Sequence, residues 1–279
     1  MRAKPHTTFP RISLLAVILI MYLSFPCYGN AAKEGDGPKF DWGFGVVPLV
    51  INHYRGSDQF KGHVIPSPYF SYKGDTIEAE QSYVRGKLYG NDFFSIKISM
   101  IVGLAVESED NHARRGMPDL GYMFEAGPML LLHLWKSNNG LHFLTFEVPV
   151  RQVFATDFTG IERVGIFSVP YFNLISAPGG RRFGWTTEFS AALMFADRDY
   201  HSYFYTIDRK YVLPDRQEYH ARGGYSGLQL ALVLNKRIGC IQLIPFIRYD
   251  YLRMAAFEDS PLVRTRHYLA TGLATFYVF

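Results

Sequence analysis

Strict alternation of apolar residues with polar or small residues dominates the chain from Phe40 onward. In the stretch FFSIKISMIVGLAV, one face carries large apolar side chains such as Phe94 and Ile96, and the other carries Ser95 and Lys97. A period of two residues is typical of a β-strand with two unlike faces. The same alternation recurs in GYMFEAGPMLLLHLW, LHFLTFEVPVRQVF, RFGWTTEFSAALMF, YSGLQLALVL and IQLIPFIRYDYL.

The length of these stretches indicates a membrane rather than a soluble strand. Several have ten residues or more, whereas strands of globular proteins usually have about five or six, and a tilted strand needs about 9–11 residues to cross a bilayer. Aromatic residues collect near the strand ends, as they do in the interfacial girdles of membrane barrels. Because only strands that close on themselves satisfy every backbone group in lipid, the pattern predicts an all-β fold, a closed antiparallel transmembrane β-barrel.

The alternation is less regular near the N-terminus, and this affects the predicted number of strands. FDWGFGVVPLV, VIPSPYF and TIEAEQSYVRGKL are interpreted as one strand each, which gives eleven strands in all. Bacterial barrels have even numbers, so we expect between ten and twelve, and VIPSPYF is the weakest strand because proline lacks a ladder donor. Tight turns at KSNNG, APGG and NKRIG alternate with longer connections, which places the turns in the periplasm and the longer loops outside.

The polar face of the strands distinguishes a membrane barrel from a soluble one. In a soluble sandwich or lipocalin-like barrel the polar face meets water and is rich in Lys and Glu, whereas here it carries mostly Ser, Thr, Gly and Ala with single charges. The charged residues predicted to face the lumen are Lys97, Glu125, Glu147, Arg151, Glu188, Arg248 and Asp250. Three bases and four acids favour mutual pairing. A barrel of ten to twelve strands is too wide for side chains to fill completely, so a small-solute channel stays an alternative.

The N-terminus has the features of a secretory signal. Three basic residues precede the apolar run ISLLAVILIMYLSF, and the small residues of CYGNAA follow it. The run is shorter than the roughly 20 residues of a membrane helix. We predict a signal peptide over residues 1–31, cleaved after Gly29 or Ala31, and a barrel over residues 32–279. Cleavage would leave Cys240 as the only cysteine, so no internal disulfide is expected.

The chain ends in LATGLATFYVF, an alternating strand that includes Tyr277 and Phe279. This ending resembles the assembly signal that the barrel assembly machinery reads, and it predicts a last strand that closes the barrel against the first. Without the three bases of the signal, 26 Lys and Arg stand against 25 Asp and Glu. A nearly neutral chain lacks the basic face that a nucleic-acid partner requires.

Three stretches are similar to the MipA/OmpV family: VVPLVINHYRGSDQFKGHVIPSPYFSYKGD, RRGMPDLGYMFEAGPML and EDSPLVRTRHYLATGLATFYVF. The matching loop residues are Tyr54, Gly56, Ser57, Asp58, Pro66, Pro68, Tyr72, Gly74, Asp75, Asp259, Ser260 and Pro261. The resemblance implies a barrel in the outer membrane of a Gram-negative bacterium, surrounded by outer-membrane lipid. It further implies a scaffold that joins a lytic transglycosylase to a murein synthase, although other members are treated as porin-like or adhesive proteins.

Catalytic chemistry is not expected. The nearest match to an outer-membrane hydrolase is His133 with Ser137, but Ser137 falls in a predicted turn and no third residue orients the histidine. The other histidines are scattered without metal-ligand spacing, so neither a metal nor a cofactor is predicted. The sequence therefore favours a non-enzymatic scaffold, with a channel as the alternative and a lipid-modifying enzyme as a third hypothesis.

Overall fold

The computed structural model describes residues 39–73, 77–80, 83–86, 89–91, 93–177 and 184–279. Within these residues the strands are β1 (Lys39–Asn52), β2 (Phe60–Lys73), β3 (Ile77–Glu80), β4 (Tyr83–Gly86), β5 (Tyr89–Gly90), β6 (Phe94–Gly103), β7 (Tyr122–Lys136), β8 (His142–Thr156), β9 (Ile161–Ser168), β10 (Tyr171–Ser176), β11 (Thr186–Ala196), β12 (Gly224–Ile238), β13 (Ile241–Tyr251) and β14 (His267–Val278). One α-helix, α1 (Arg198–Tyr205), and two short 3-10 turns complete the described part. No helix in it has the length and apolar character needed to cross a membrane.

All strands join one antiparallel sheet. The order is β4-β3-β2-β1-β14-β13-β12-β11-β10-β8-β7-β6-β5, and β9 pairs with both β8 and β11. Strands β9 and β10 therefore occupy the same position between β8 and β11, one after the other along the chain. Eleven of the described strands have six residues or more, within the predicted range of ten to twelve. The prediction of an all-β antiparallel fold is confirmed.

Burial of the two faces of the sheet is the reverse of that in a soluble β-protein, where the apolar face is buried and the polar face is exposed. On β6 the polar residues Ser95 and Ser99 are 3% and 7% exposed, whereas Ile98 and Val102 are 37% and 73% exposed. On β8 the buried face likewise carries Thr145, Glu147 and Arg151, and large apolar residues point away from it. Because strand side chains alternate in direction, β6 and β8 have a mainly polar or small inward face and an apolar outward face, whereas other strands also direct apolar residues such as Met194 and Phe276 inward.

Two N-terminal stretches differ from their predicted form. TIEAEQSYVRGKL contains two short antiparallel strands, β3 and β4, rather than the one strand predicted. VIPSPYF, the weakest predicted strand, lies within β2 and pairs with β1 over its whole length. Backbone nitrogens along β2 point alternately toward β1 and away from it. Pro66 and Pro68 fit in β2 because their nitrogens point away from β1, so no hydrogen bond between the two strands is lost.

The last strand lies beside the first, as the C-terminus predicted. Strand β14 pairs with β1 from Gly43, opposite Val278, to Ile51, opposite Ala270. On the outward face of this seam the Phe279 ring lies 4.5 Å from the Trp42 ring and 5.2 Å from the Tyr277 ring, centroid to centroid. Aromatic contacts therefore join the two strands outside the backbone ladder.

Connections at the two ends of the sheet differ in length. The short turns lie at residues 137–141 and at Gly239–Cys240, and the predicted turn at APGG falls mostly outside the described residues. Long loops lie at the other end, at residues 53–59, 104–121, 197–223 and 252–266. The connection predicted as long at Thr156–Glu162 is instead a four-residue turn, because Asp157 Oδ1 accepts hydrogen bonds from the backbone nitrogens of Thr159 and Gly160.

Cys240 is the residue on which the expectation of no internal disulfide in the cleaved chain rests, and that expectation stays a prediction. This residue of the β12–β13 turn is disulfide-bonded. The sequence has one other cysteine, Cys27, which lies outside the described residues together with the predicted signal peptide. Cleavage after Gly29 or Ala31 would remove Cys27, and the prediction applies to the chain without it.

Candidate functional site

The long loops form a compact body over one end of the sheet, here called the loop cap (residues 53–59, 104–121, 197–223 and 252–266). Its apolar core consists of Tyr54, Ala113, Leu120, Tyr205, Ile207, Ala221, Leu252, Ala255, Phe257 and Leu262. Each of the four loops contributes to this cluster. Burial of these side chains holds the loops in one arrangement, since apolar burial contributes roughly 25 cal/mol per Å².

Tyr205, the last residue of α1, lies at the centre of the loop cap. Its ring stacks on the Phe257 ring at a centroid distance of 3.7 Å and an angle of 5°. Its hydroxyl donates to the Arg55 carbonyl at 2.8 Å, and its own carbonyl accepts from Ser260 Oγ at 2.8 Å. Burial raises the pKa of the Tyr205 phenol, so the hydroxyl stays a donor. Tyr205 therefore joins the loop after β1 to the loop before β14.

The family-motif residues of these two loops also contact each other directly. Tyr54 Oη donates to the Leu262 carbonyl at 2.7 Å. The Gly56 carbonyl accepts from the backbone nitrogens of Arg264 and Thr265 at 2.7 and 3.1 Å. Gly56 has φ +106°, and a Cβ there would lie 3.3 Å from Val263, so the position favours glycine.

Ser57 and Asp58 tie the first motif loop to the neighbouring segments. The Ser57 carbonyl accepts from Asn52 Nδ2 at 2.7 Å, and its hydroxyl accepts from Asn111 Nδ2 at 2.9 Å. Asp58 is exposed and lies 3.5 Å from the His112 ring nitrogen. These contacts fix the backbone on both sides of Arg55.

The remaining motif residues lie in β2, in the loop before β14, or outside the described residues. Pro66, Pro68 and Tyr72 belong to β2. Gly74 and Asp75 lie outside the described residues. Ser260 is buried, whereas Asp259 is exposed and Pro261 is half-buried beside it.

Helix α1 carries a buried histidine. The helix is capped by Asp197, whose carboxylate accepts from the Tyr200 backbone nitrogen at 2.9 Å. His201 is fully buried; its Nδ1 lies 2.6 Å from the Arg222 carbonyl and its Nε2 lies 3.1 Å from Ser226 Oγ. A carbonyl oxygen can only accept a hydrogen bond, so Nδ1 of His201 carries the hydrogen and donates it to the Arg222 carbonyl. Nε2 therefore accepts a hydrogen bond from the Ser226 hydroxyl. Burial lowers the pKa of His201 to about 4, and the ring is therefore neutral at physiological pH.

Two buried arginines of the loop cap donate to backbone carbonyls. Arg114 donates to the carbonyls of Phe204 and Pro118 at 2.8 and 3.0 Å. Arg216 donates to the carbonyls of Ala113 and Arg115, both at 3.0 Å. Each guanidinium thus has several acceptors, and these two residues fasten the loops to one another.

Arg55 differs from these two because it points from the loop cap into the interior of the sheet. Its side chain is 9% exposed. Nη1 lies 3.1 Å from Met194 Sδ and 3.4 Å from the Ser226 carbonyl, and Nη2 lies 3.3 Å from Tyr200 Oη. The guanidinium also lies 5.0 Å from the Phe167 ring centroid. Among the described residues, no carboxylate lies at ion-pair distance from it.

The structure places the predicted inward charges on the buried face in several separate groups. Arg151 Nε donates to Glu125 at 2.8 Å, and Arg151 Nη1 donates to Ser99 Oγ at 3.1 Å. Arg248 forms two bonds to Asp250, at 2.8 and 2.6 Å. These are two of the opposite-charge contacts that the sequence suggested, although Asp250 rather than a glutamate pairs with Arg248.

Two of the other predicted charges, both glutamates, accept hydrogen bonds from neutral donors. Glu147 is buried and accepts from Thr145 Oγ1 at 3.0 Å and from Tyr171 Oη at 2.5 Å. Glu188 accepts from Asn173 Nδ2 at 2.7 Å. Lys97 lies half-buried on β6, on the same face as Ser95 and Ser99.

No described arrangement resembles a hydrolase centre. His133 lies 3.2 Å from Ser95 Oγ rather than beside Ser137, which donates to Asn139 in the turn after β7. The buried pair of His201 and Ser226 has a backbone carbonyl in place of an orienting carboxylate. In the part of the chain that the structure describes, no cluster of three or more His, Cys, Asp or Glu residues could hold a metal ion.

A cavity of about 170 Å³ lies between the loop cap and the inward face of the sheet. Its polar wall includes Arg55, Arg248 and Glu125, and its apolar wall includes Leu104, Val106, Leu120, Met123, Phe167 and Phe204. His53, Lys61 and His63 also line it. Burial lowers the pKa of His53, and Lys61 pairs with Asp110 at 2.7 Å.

The cavity could not be located from the sequence. Arg55 stands inside the motif HYRGSD, but loop residues have no periodicity that separates a buried arginine from an exposed one. The only available signal was the density of Tyr and Phe in residues 197–223, which is high for a solvated loop and indicates a buried surface.

Comparison with protein-family models matches residues 44–279 to the family described as MltA-interacting protein MipA. A comparison with curated proteins finds no match. The matched range includes the sheet from β1 to β14, the loop cap and both motif loops. The chain therefore belongs to the MipA family of MltA-interacting proteins.

Proposed function

We propose that this protein is an outer-membrane β-barrel that acts as a non-enzymatic scaffold for murein synthesis. The observation that carries the proposal is the reversed burial of the sheet, with large apolar side chains outward and charged residues inward. Such a surface is stable in lipid, where apolar exposure costs nothing and polar groups need internal partners. Membership of a family described as MltA-interacting supports the link to murein synthesis.

Closure of the barrel is supported by the two ends of the strand order. Strands β4 and β5 are separated by two residues, β4 pairs with β3, and β5 pairs with β6. Strand β4 also lies against β6. If β4 and β5 are one strand position, and β9 and β10 another, the sheet has twelve positions and no free end. Twelve is an even number, as in bacterial barrels.

Blockage of the interior favours a scaffold over a channel. The loop cap covers one end, and below it the ion pair Arg151–Glu125 joins the neighbouring strands β8 and β7 and the ion pair Arg248–Asp250 lies along β13, both on the inward face. Nearer the short turns, the inward rings of Tyr69 and Phe276 lie 5.3 Å apart in an apolar cluster with Ala274 and Val278. We propose that the loop cap and these inward groups together close the interior to solutes.

A murein enzyme would approach from the end with the short turns, which faces the periplasm in this orientation. The turns at residues 137–141 and at Gly239–Cys240 offer little surface, well below the roughly 800 Å² per partner of a standard interface. In the sequence, the segment from Asn30 to Lys39 leads into β1, whose first residues lie at this end. We propose that the partner binds weakly, through this segment together with the turns.

Crosslinking in intact envelopes, followed by purification and mass spectrometry, tests the scaffold. The wild-type protein should recover a lytic transglycosylase and a murein synthase, and a variant lacking residues 32–37 should recover less of both. A matched control replaces Asp157, in the β8–β9 turn at the opposite end, with Asn. Equal recovery of the murein enzymes by the deletion variant would contradict the proposed binding surface.

Planar bilayers test the channel alternative. The purified barrel should show no steady conductance, because the interior is blocked by paired charges and apolar rings. Steady conductance whose ion selectivity changes in Arg248→Glu, without any murein enzyme in the crosslinked sample, would favour the channel.

A further inference from the structure

The charges around the cavity do not balance. Arg55, Arg248 and Glu125 line the cavity. Glu125 pairs with Arg151 and Arg248 pairs with Asp250, so the cluster contains three guanidinium groups and two carboxylates. Glu125 is held by Arg151, and both oxygens of Asp250 are held by Arg248. The group therefore carries one excess positive charge, and it belongs to Arg55.

Arg55 has no ion-pair partner of its own among the described residues. Burial opposes its charge, although the nearby Asp250 favours that charge and raises its pKa. Its polar contacts are a thioether sulfur, one carbonyl at 3.4 Å and one phenol at 3.3 Å, and its guanidinium lies over the Phe167 ring, so every group in direct contact with it is neutral. A second guanidinium is close, since Arg248 Nη2 lies 4.0 Å from the same Met194 sulfur. Burial of a charge is costly unless an opposite charge accompanies it. An anion in the cavity would satisfy Arg55 and reduce its repulsion with Arg248.

The shape of the cavity restricts the anion. A volume of about 170 Å³ is close to the roughly 150 Å³ of an engineered cavity that binds benzene. Leu104, Val106, Met123 and Phe204 form an apolar part of the lining, here called the Leu104–Phe204 wall, which suits an apolar body rather than a hydrated ion. The single excess charge matches a monovalent carboxylate better than a doubly charged phosphate, and the planar guanidinium binds a carboxylate with two parallel bonds.

We propose that the cavity under the loop cap binds a small amphipathic carboxylate, with its carboxylate group on Arg55 and its apolar body against the Leu104–Phe204 wall. This site goes beyond the scaffold role and does not depend on it. The loop cap would hold the ligand at the end of the barrel that faces away from the murein enzymes.

Isothermal titration calorimetry of the full protein in neutral detergent micelles tests the site, with benzoate as the probe and protein-free micelles as the blank. Wild-type protein should bind benzoate at least tenfold more tightly than benzyl alcohol, which has the same ring without the charge, and more tightly than inorganic phosphate. Arg55→Gln should lose this preference. Arg115→Gln, which removes an exposed arginine of the loop cap, should bind benzoate as the wild type does.

A second variant keeps the test decisive if Arg55→Gln does not assemble. Ala105 lines the cavity, and Ala105→Phe would fill it while leaving Arg55 in place. Folded Ala105→Phe protein, identified by heat-modifiable migration in gels, should bind benzoate at least tenfold more weakly than the wild type. No benzoate binding by the wild type, equal affinity for benzyl alcohol, or unchanged affinity in Ala105→Phe would each overturn the proposal.

Discussion

Acid should loosen the loop cap through His201. This histidine is fully buried and neutral, and its two ring nitrogens are both engaged. It packs among the rings of Tyr200, Tyr205 and Phe257. Of its charged neighbours, Arg55 opposes protonation and Asp197 favours it. A second proton would remove the acceptor for Ser226 and place a charge in the apolar core of the cap.

The size of the effect follows from the pKa of His201, which burial lowers from 6.5 to about 4. When the cap is open, the His201 ring has an ordinary pKa near 6.5. Between about pH 6.5 and pH 4 the open form therefore binds a proton, whereas the closed form stays neutral. The free energy of opening therefore falls as the pH falls from about 6.5 to about 4 and then levels off. The full loss is about 3 kcal/mol, and about 2 kcal/mol of it, roughly a 30-fold change in the open population, comes between about pH 7.5 and pH 5.

Hydrogen exchange followed by mass spectrometry measures this opening. After correction for the intrinsic exchange rate, protection of the α1 amides should fall about 30-fold between about pH 7.5 and pH 5. His201→Gln should abolish most of this pH dependence. His220→Gln, in the same loop but exposed, should retain it. Unchanged protection of the α1 amides in the wild type over this pH range would refute the reasoning.

Three further substitutions test other parts of the structure. Glu125→Gln should lower the free energy of unfolding by about 3 kcal/mol, because it leaves the buried Arg151 without its carboxylate, and denaturant titration measures the loss. Gly56→Ala should cost about 1–3 kcal/mol, because φ +106° strains a side chain there, and exchange of the amides at residues 53–59 would report it. Phe279→Ala should reduce the fraction that migrates as heat-modifiable barrel, because it removes the ring contact to Trp42.

Each of these substitutions has a matched control. Glu162 is exposed, so Glu162→Gln should not shift the unfolding midpoint. A Cβ on Gly160 would meet nothing within 4 Å, so Gly160→Ala should be tolerated. Phe189 is an outward ring with 44% exposure, and Phe189→Ala should assemble normally. If a control variant loses as much stability or assembly as the substitution that it matches, the contact named for that substitution does not cause the loss.

The sheet could be predicted because its signal is local and repetitive. A period of two fixes which face each residue occupies, so Thr145, Glu147 and Arg151 were assigned to one face without knowledge of any neighbouring strand. The place of β14 beside β1 also followed from the sequence. TIEAEQSYVRGKL was misinterpreted because it lacks alternation, and nothing in its composition distinguishes one irregular strand from two short ones.

The loop cap could not be predicted because its contacts join residues far apart in the chain. Tyr205 meets Arg55 and Phe257 only after the strands have brought three loops to one end of the sheet. The sequence also could not predict which of the inward charges pair with each other. Arg248 is two residues from Asp250 on the same strand face, and this local pair excluded the more distant glutamates that the sequence left open.

The position of Arg55 connects the motif loops to the cavity. Tyr54 is fixed by its bond to the Leu262 carbonyl, and Gly56 by the bonds that its carbonyl accepts. The Arg55 carbonyl is itself held by Tyr205. With the backbone constrained on both sides, the Arg55 side chain has one direction available, inward over Phe167. The hydrogen bonds of the motif thus direct the Arg55 cation into the interior, and that cation gives the cavity its charge.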